Sequence, residues 1–408
     1  MSERRPPSDR FSRRGLLLGG AAAGVGAAGA TVAHRLVGGE PVPENAAPPV
    51  HGTQTVAFHG PRQSGVETPP QAHACFVGLD LESGVDAEGV GRLLRLLSDD
   101  AARLGAGRAP LADTEPELAE VPARLTTTFG FGRGLVERVD PGAVPSWLGP
   151  LPEFDQDDLR PEWGQADLLL QVCADDPVTV SHAARMLVKD ARAFAGVAWT
   201  QTGFRRAHGS QPDGTTMRNL MGQVDGSINP RPGTEEFDQL VWATGGPAWL
   251  DGGTSLVLRR IATDLDTWDE LDRPGREAVI GRRVSDGAPL TGGGERDDVD
   301  LDATDSTGLP VIPAFAHVRR ARTGDPRQRI FRRGYNYDLR DTLGGSGEAG
   351  LLFASFQADP VRQFVPIQRR LDELDLLNEW VTAVGSAVFA IPPGCEEGDY
   401  VGRALVEG

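Results

Sequence analysis

Apolar positions along the chain fall into short compact runs that alternate with amphipathic stretches. The run at 74–81 has strand length, and Val90, Leu93, Leu94, Leu96 and Leu97 follow it at helical spacing. A β-rich segment bounded by glycine at 125–131, a buried-type run at 167–173, a helical pattern over 178–195 and a strand near 197–204 extend the series. Together they predict a β-α-β-β-α-β-like set. A second set begins with a strand at 254–258 and continues through helical stretches at 265–282, strands at 330–337 and 350–358, helices over 361–382 and a last strand at 386–391. The economical reading is an α+β protein of two similar halves with antiparallel sheets, an N-terminal domain over 53–215 and a C-terminal one over 216–408.

The first residues have a different pattern. Arg4, Arg5, Arg10, Arg13 and Arg14 precede an uncharged, glycine-rich stretch at 16–33, which is the layout of a secretory signal. Ser12-Arg13-Arg14-Gly15-Leu16-Leu17 resembles a twin-arginine signal, so residues 1–30 predict passage through the Tat export machinery. The expected location is secreted, periplasmic or attached to the cell envelope. Residues 31–52, with Pro41, Pro43, Pro48 and Pro49, read as a linker. Twin-arginine export carries folded proteins, often with a cofactor already inserted, which favours a redox cofactor.

Charge narrows the partners. With 41 Lys+Arg against 58 Asp+Glu and a net charge of -17, the 408-residue chain would repel a nucleic-acid backbone, and no nucleic-acid partner is expected. Lys189 is the only lysine, so nearly every cation is a planar guanidinium suited to carboxylates. Cys75, Cys173 and Cys395 are odd in number and widely spaced, which excludes a disulfide framework and a zinc ribbon. Residues 284–310 form an acidic, glycine-rich segment. Its Asp298-x-Asp300-x-Asp302 lacks the glycine and glutamate that a calcium loop requires.

Three segments carry candidate chemistry. Gly222-Gln223-Val224-Asp225-Gly226 sets one carboxylate between glycines, as a turn residue or as an acid aimed into a cavity. His317 follows an apolar run and precedes Arg319, Arg320 and Arg322. It is either a satisfied core histidine or an axial metal ligand with arginines beside it to neutralise propionates. Arg332-Arg333-Gly334-Tyr335-Asn336-Tyr337 reads alone as an ordinary edge strand.

Taken together, these segments have the order and spacing of the dye-decolourising (DyP-type) haem peroxidases. The resemblance spans nearly the whole mature chain. It includes Gln63-Ser64-Gly65-Val66, the strand 125–132, Gly222 to Pro230 with its GxxDG signature, Ala316-His317-Val318-Arg319, residues 331–337 and residues 350–357. With the twin-arginine signal, the chain is most similar to the exported bacterial branch that includes the deferrochelatase-like proteins.

The resemblance implies two ferredoxin-like halves of the dimeric α+β barrel type, with one haem b per chain in the C-terminal half. It implies a peroxidase that reduces hydrogen peroxide through a ferryl intermediate and oxidises dyes, phenols or another extracytoplasmic donor. The alternative is an exported haem- or iron-handling protein with little peroxidase turnover, and a partner oxidase or an iron-uptake system stays open as a partner. By the family's motifs, His317 is the axial ligand of haem iron, Asp225 the distal acid-base group and Arg333 the distal cation. Gly226, Ser227 and Ile228 pass along the haem edge, and Phe356 is the distal aromatic residue. Asp375, with Asp372 as alternative, stands behind the histidine. Ala354, where a larger residue is common, suggests a wider distal pocket. The family's Asn-Pro-Arg after the histidine segment is replaced by Arg322-Thr323-Gly324, which leaves the haem-edge contacts of that loop open. Electron transfer from bulky donors points to Tyr335 and Tyr337, which flank the distal strand.

Overall fold

The computed structural model describes residues 51–322, 324–340 and 347–408. The twin-arginine segment and all but the end of the linker lie outside the described residues. Residues His51–Gly408 form one compact unit.

The N-terminal half runs β1 (His73–Leu81), α1 (Ala87–Gly105), β2 (Thr126–Phe131), β3 (Leu168–Ala174), α2 (Pro177–Ala191) and β4 (Ala195–Phe204). Its strands lie in the order β4-β1-β3-β2, and each neighbouring pair is antiparallel. Both helices start on an aspartate whose side chain accepts from the first turn, Asp86 from the Gly89 amide and Asp176 from the Thr179 amide. The C-terminal half runs β5 (Thr254–Thr263), α3 (His317–Ala321), β6 (Phe331–Arg332), β7 (Tyr335–Asp338), β8 (Ala349–Gln357), α4 (Phe364–Leu374) and β9 (Val381–Ile391). Its order, β7-β8-β5-β9, repeats that of the first half, since in both the first strand lies between the third and the fourth. This is the α+β architecture of two ferredoxin-like halves.

Two seams join the half-sheets. Phe131 pairs with Ala390 between β2 and β9, and Phe204 pairs with Asn336 between β4 and β7. Because β5 also pairs with both β8 and β9, the sheet closes on itself. Strand alternation then sorts side chains into an interior and an outer face. The interior cluster includes Phe76, Leu169, Leu256, Phe331, Tyr335, Tyr337, Leu352, Phe356 and Phe389. The outer face of the first half packs on α1 and α2 through Val77, Leu79, Leu93, Leu97, Leu170 and Leu187. The segment containing Gln63 and Val66 is drawn inward: Gln63 bonds both backbone groups of Phe129 and the Pro392 carbonyl, at 2.8 to 3.0 Å.

Element boundaries depart from the expected ones where capping and pairing override apolar pattern. The helical stretch at 265–282 is two short helices, Leu265–Asp269 and Arg273–Ile280, because Asp264 and Asp272 each cap a new start. Pairing with β5 extends β9 back to Val381, ahead of its apolar run.

Candidate active site

The outer face of the C-terminal sheet does not carry long helices as the first half does. Instead it floors a cavity of about 730 Å³, walled by α3, α4 and the segment around Asp225. Its volume lies within the range of about 300–1,000 Å³ usual for small-molecule and cofactor sites.

The Asp225 segment is shaped by two glycines. Gly222 has φ +84° and Gly226 φ +110°, a region open to glycine at little cost, so the chain turns tightly on both sides of the carboxylate. Arg218 and Val224 form a bridge, and the Asp225 amide donates to the Met217 carbonyl at 2.9 Å. Asn229 then hooks this segment to β6: its Nδ2 donates to the Arg332 carbonyl at 2.7 Å, and its Oδ1 accepts from the Arg332 amide at 3.2 Å. Asn229 therefore sets the distance between Asp225 and Arg332, whose Oδ1 and Nη1 lie 3.1 Å apart.

His317 opens α3. Its Nδ1 donates to Asp375 Oδ2 at 2.6 Å, and Asp375 Oδ1 accepts from the Leu377 amide at 3.0 Å, so the carboxylate is itself fixed. Burial by itself would lower the imidazole pKa; the charge and hydrogen bond of Asp375 outweigh it and the net shift is upward. A proton held on Nδ1 leaves the Nε2 lone pair for a metal. Arg319 donates to the carbonyls of Ile312 and Leu301, and Arg320 to the Arg370 carbonyl, so both arginines brace the helix.

Of the expected residues, Asp225, Gly226, Ser227, Ile228, His317 and Asp375 all line the cavity. Asp372 is elsewhere, accepting from the amides of Asp155 and Gln156 at 2.9 Å. Three expectations are corrected. Arg333 does not reach the cavity: it is 0% exposed and bonds the Thr68 carbonyl and Gln71 Oε1 in the barrel interior. Its neighbour Arg332 faces the cavity, because consecutive strand residues point to opposite faces. Phe356 is likewise an interior residue, and Leu351 and Phe353 line the cavity in its place. Ala354 shares the interior parity, so its small size does not widen the cavity. Tyr335 and Tyr337 are both interior. The Tyr337 hydroxyl donates to Glu348 at 2.7 Å, and burial pushes the pKa of both phenols up.

The arrangement joins a carboxylate-backed imidazole and a carboxylate–guanidinium pair in one cavity, the former suited to hold a metal and the latter to move a proton next to a fixed positive charge. Family models for the N-terminal and C-terminal parts of Dyp-type peroxidases match residues 63–205 and 216–396. The chain belongs to the DyP-type peroxidase family. A dye-decolorizing peroxidase of Thermobifida fusca is 40% identical over 97% of both chains. The solved DyP-type peroxidase of Cellulomonas bogoriensis is 52% identical, with a TM-score of 0.85 over 88% of this chain and 100% of that one. Ferric DtpA of Streptomyces lividans is 42% identical, with a TM-score of 0.84 over 89% and 100%. A deferrochelatase of Shigella flexneri is 33% identical over 86% of this chain and 87% of that one.

DyP-type peroxidases are haem enzymes, and the cavity fits the group. One wall offers His317 with Nε2 available, the floor is apolar through Leu351, Phe353 and Ile261, and Arg322 and Arg329 line it as well. Ser227 and Gln223, which also line it, each carry a buried polar side-chain atom, Oγ and Nε2, without a hydrogen-bond partner among the described residues.

Proposed function

We propose that in this haem-dependent peroxidase His317 would hold the haem iron, Asp225 would transfer the proton and Arg332 would supply the positive charge beside it. The observation that carries the assignment is the Asp225–Arg332 pair, 3.1 Å apart in the cavity that His317 also lines. When bound, haem would supply the two electrons that split the peroxide bond, and the reducing substrate would return them.

The protein's own part is proton and charge management. Asp225 Oδ2, the oxygen not engaged by Arg332, takes the proton from one peroxide oxygen and delivers it to the other, which leaves as water. Negative charge grows on the departing oxygen before that proton arrives. The guanidinium of Arg332, beside Asp225, stabilises it. The Nδ1 hydrogen bond to Asp375 fixes the imidazole's orientation and makes it more electron-rich. A haem-handling protein with little turnover has no use for the Asp225–Arg332 pair, so its presence favours the peroxidase over a deferrochelatase-like role.

Export belongs to the same proposal. The support is Ser12-Arg13-Arg14 ahead of an uncharged stretch, and the envelope or the exterior is the location it gives. No helix among the described residues is long and apolar enough to cross a membrane. Replacing Arg13 and Arg14 by lysine would retain the protein in the cytoplasm; unaltered export would refute the twin-arginine route.

The site assignment is tested by the absorption spectrum before and after one equivalent of hydrogen peroxide, in the parent and in His317→Ala and Asp225→Asn. The expected outcome is a displaced Soret band at rest in His317→Ala, and in Asp225→Asn a normal resting band with a response slowed about 10²- to 10⁴-fold. A normal resting band in His317→Ala would overturn the ligand assignment.

A further inference from the structure

Five guanidiniums line the cavity, and three of them are committed. Arg259 pairs with Asp157, Arg332 pairs with Asp225, and Arg282 donates to the carbonyls of Gly287, Glu295 and Asp297 at 2.8, 2.7 and 3.2 Å. Arg322 and Arg329 are different. Both belong to the segment after α3, and their side chains remain about one-third exposed, at 35% and 34%. Arg322 lies 3.0 Å from Asp298, while Arg329 pairs with Glu236 and donates to the Ile228 carbonyl at 2.7 Å.

Asp298 shows what this end of the cavity attracts. It is a lining residue whose side chain is 77% exposed. The hydrogen bond from Arg322 holds its pKa below the ordinary carboxylate value, and the charges of Arg322, Arg329 and Arg282 act in the same direction. A carboxylate is therefore already held among guanidiniums there. The charge balance points the same way. Once the Arg259–Asp157 and His317–Asp375 pairs are set aside, four guanidiniums of the lining face three carboxylates, Asp225 and Asp298 of the lining and Glu236 beside Arg329. A local positive excess in a chain of net charge -17 calls for an anion, and haem b brings two propionates on one edge. Arg319 and Arg320, the other candidates by sequence, are held by backbone carbonyls.

We propose that Arg322 and Arg329 clamp the haem propionates, and that Asp298 competes with a propionate for Arg322. The clamp rests on the haem site proposed above. A guanidinium meets a carboxylate through two parallel N–H donors, so each arginine is matched to one propionate. The present partners, Asp298 and Glu236, are exposed, and exchanging such surface pairs costs little. Arg329 also ties the clamp to the Asp225 segment through the Ile228 carbonyl.

The test titrates haem b and haem b dimethyl ester, which lacks both propionate charges, into the haem-stripped mature chain, with Soret absorbance as the readout. Arg322→Ala and Arg329→Ala should each weaken haem about ten- to hundredfold and leave the ester unaffected. Asp298→Asn should tighten haem and not the ester. The ratio of the two affinities is read in every variant, so a general loss of folding cannot imitate the effect. An unchanged ratio in both arginine variants overturns the clamp, and unchanged haem affinity in Asp298→Asn overturns the competition. His317→Ala separates the two readings, since it alters the resting spectrum with haem and ester alike whatever the clamp does.

Discussion

Arg332 and Arg333 are adjacent in the chain and serve opposite sides of one strand. Arg332 meets Asp225 at 3.1 Å in the cavity, whereas Arg333 is sealed in the barrel interior against Thr68 and Gln71. The strand's two-residue period thus divides two identical side chains between chemistry and packing.

Replacing each by leucine should separate these roles. Arg332→Leu is expected to slow peroxide consumption about 10²- to 10³-fold while melting near the parent, as on losing one charge-stabilising donor. Arg333→Leu should retain the peroxide reaction in the folded fraction and lose about 2–3 kcal/mol of stability, because the Gln71 and Thr68 acceptors are left unpaired. Stopped-flow peroxide kinetics and thermal melts of both variants decide it. A catalytic defect confined to Arg333→Leu would reverse the assignment.

The 2.6 Å bond from His317 to Asp375 makes an electronic prediction. Asp375→Asn keeps the size and removes the charge, so the iron reduction potential should rise and turnover fall about 10- to 100-fold. Spectroelectrochemical titration measures the first. A potential equal to the parent's would mean that Asp375 only orients the ring.

Phe353 and Phe356 differ by strand parity, and their alanine variants should differ in kind. Phe356 is fully buried in the interior cluster, and its loss should cost about 3–5 kcal/mol. Phe353→Ala should cost less and shift the resting Soret band by admitting water to the cavity floor. Chemical denaturation and absorption spectra compare the two, and a Soret shift in Phe356→Ala alone would contradict the parity argument.

Asp100 on α1 is buried, and burial together with the Asp190 carboxyl on α2 raises its pKa to about 8. An aspartate titrates near 3.9 in an unfolded chain, so between about pH 4 and 8 the folded state binds more protons than the unfolded one. Stability from this source is fully present below about pH 4 and declines as the pH rises towards 8. Asp100→Asn should therefore gain on the parent over that window, by about 1–3 kcal/mol at its upper end. Thermal melts from pH 4 to 8 supply the check; parallel curves for parent and variant would show that the two carboxyls do not share a proton.

Much of the site was legible before any fold was known. Gly222 to Gly226 announces a carboxylate between tight turns, and His317 stands between an apolar run and Arg319, Arg320 and Arg322. The resemblance to the family offered Asp375, with Asp372 as alternative, and Asp375 lies at hydrogen-bond distance from His317. What was misread follows one physical rule, the face of a strand. Phe331, Tyr335 and Tyr337 share one parity and Arg332 the other, so the large aromatic residues were a signal that Arg333 lies inward. Residues 350–357 held no such signal, because Leu351 and Phe353 on one face are as apolar as Leu352 and Phe356 on the other. Asn229 was missed as a positioning residue, since its partner is the backbone of Arg332, far away in sequence.

The sequence by itself determined most element types and the repeat of two α+β halves, because these depend on local period and capping, and its resemblance to the family pointed to His317 and Asp375 as candidates. Only the tertiary structure decided which arginine and which phenylalanine meet the cavity. Closing two half-sheets into one barrel gives every strand an inside and an outside, and that choice is made by partners hundreds of residues away.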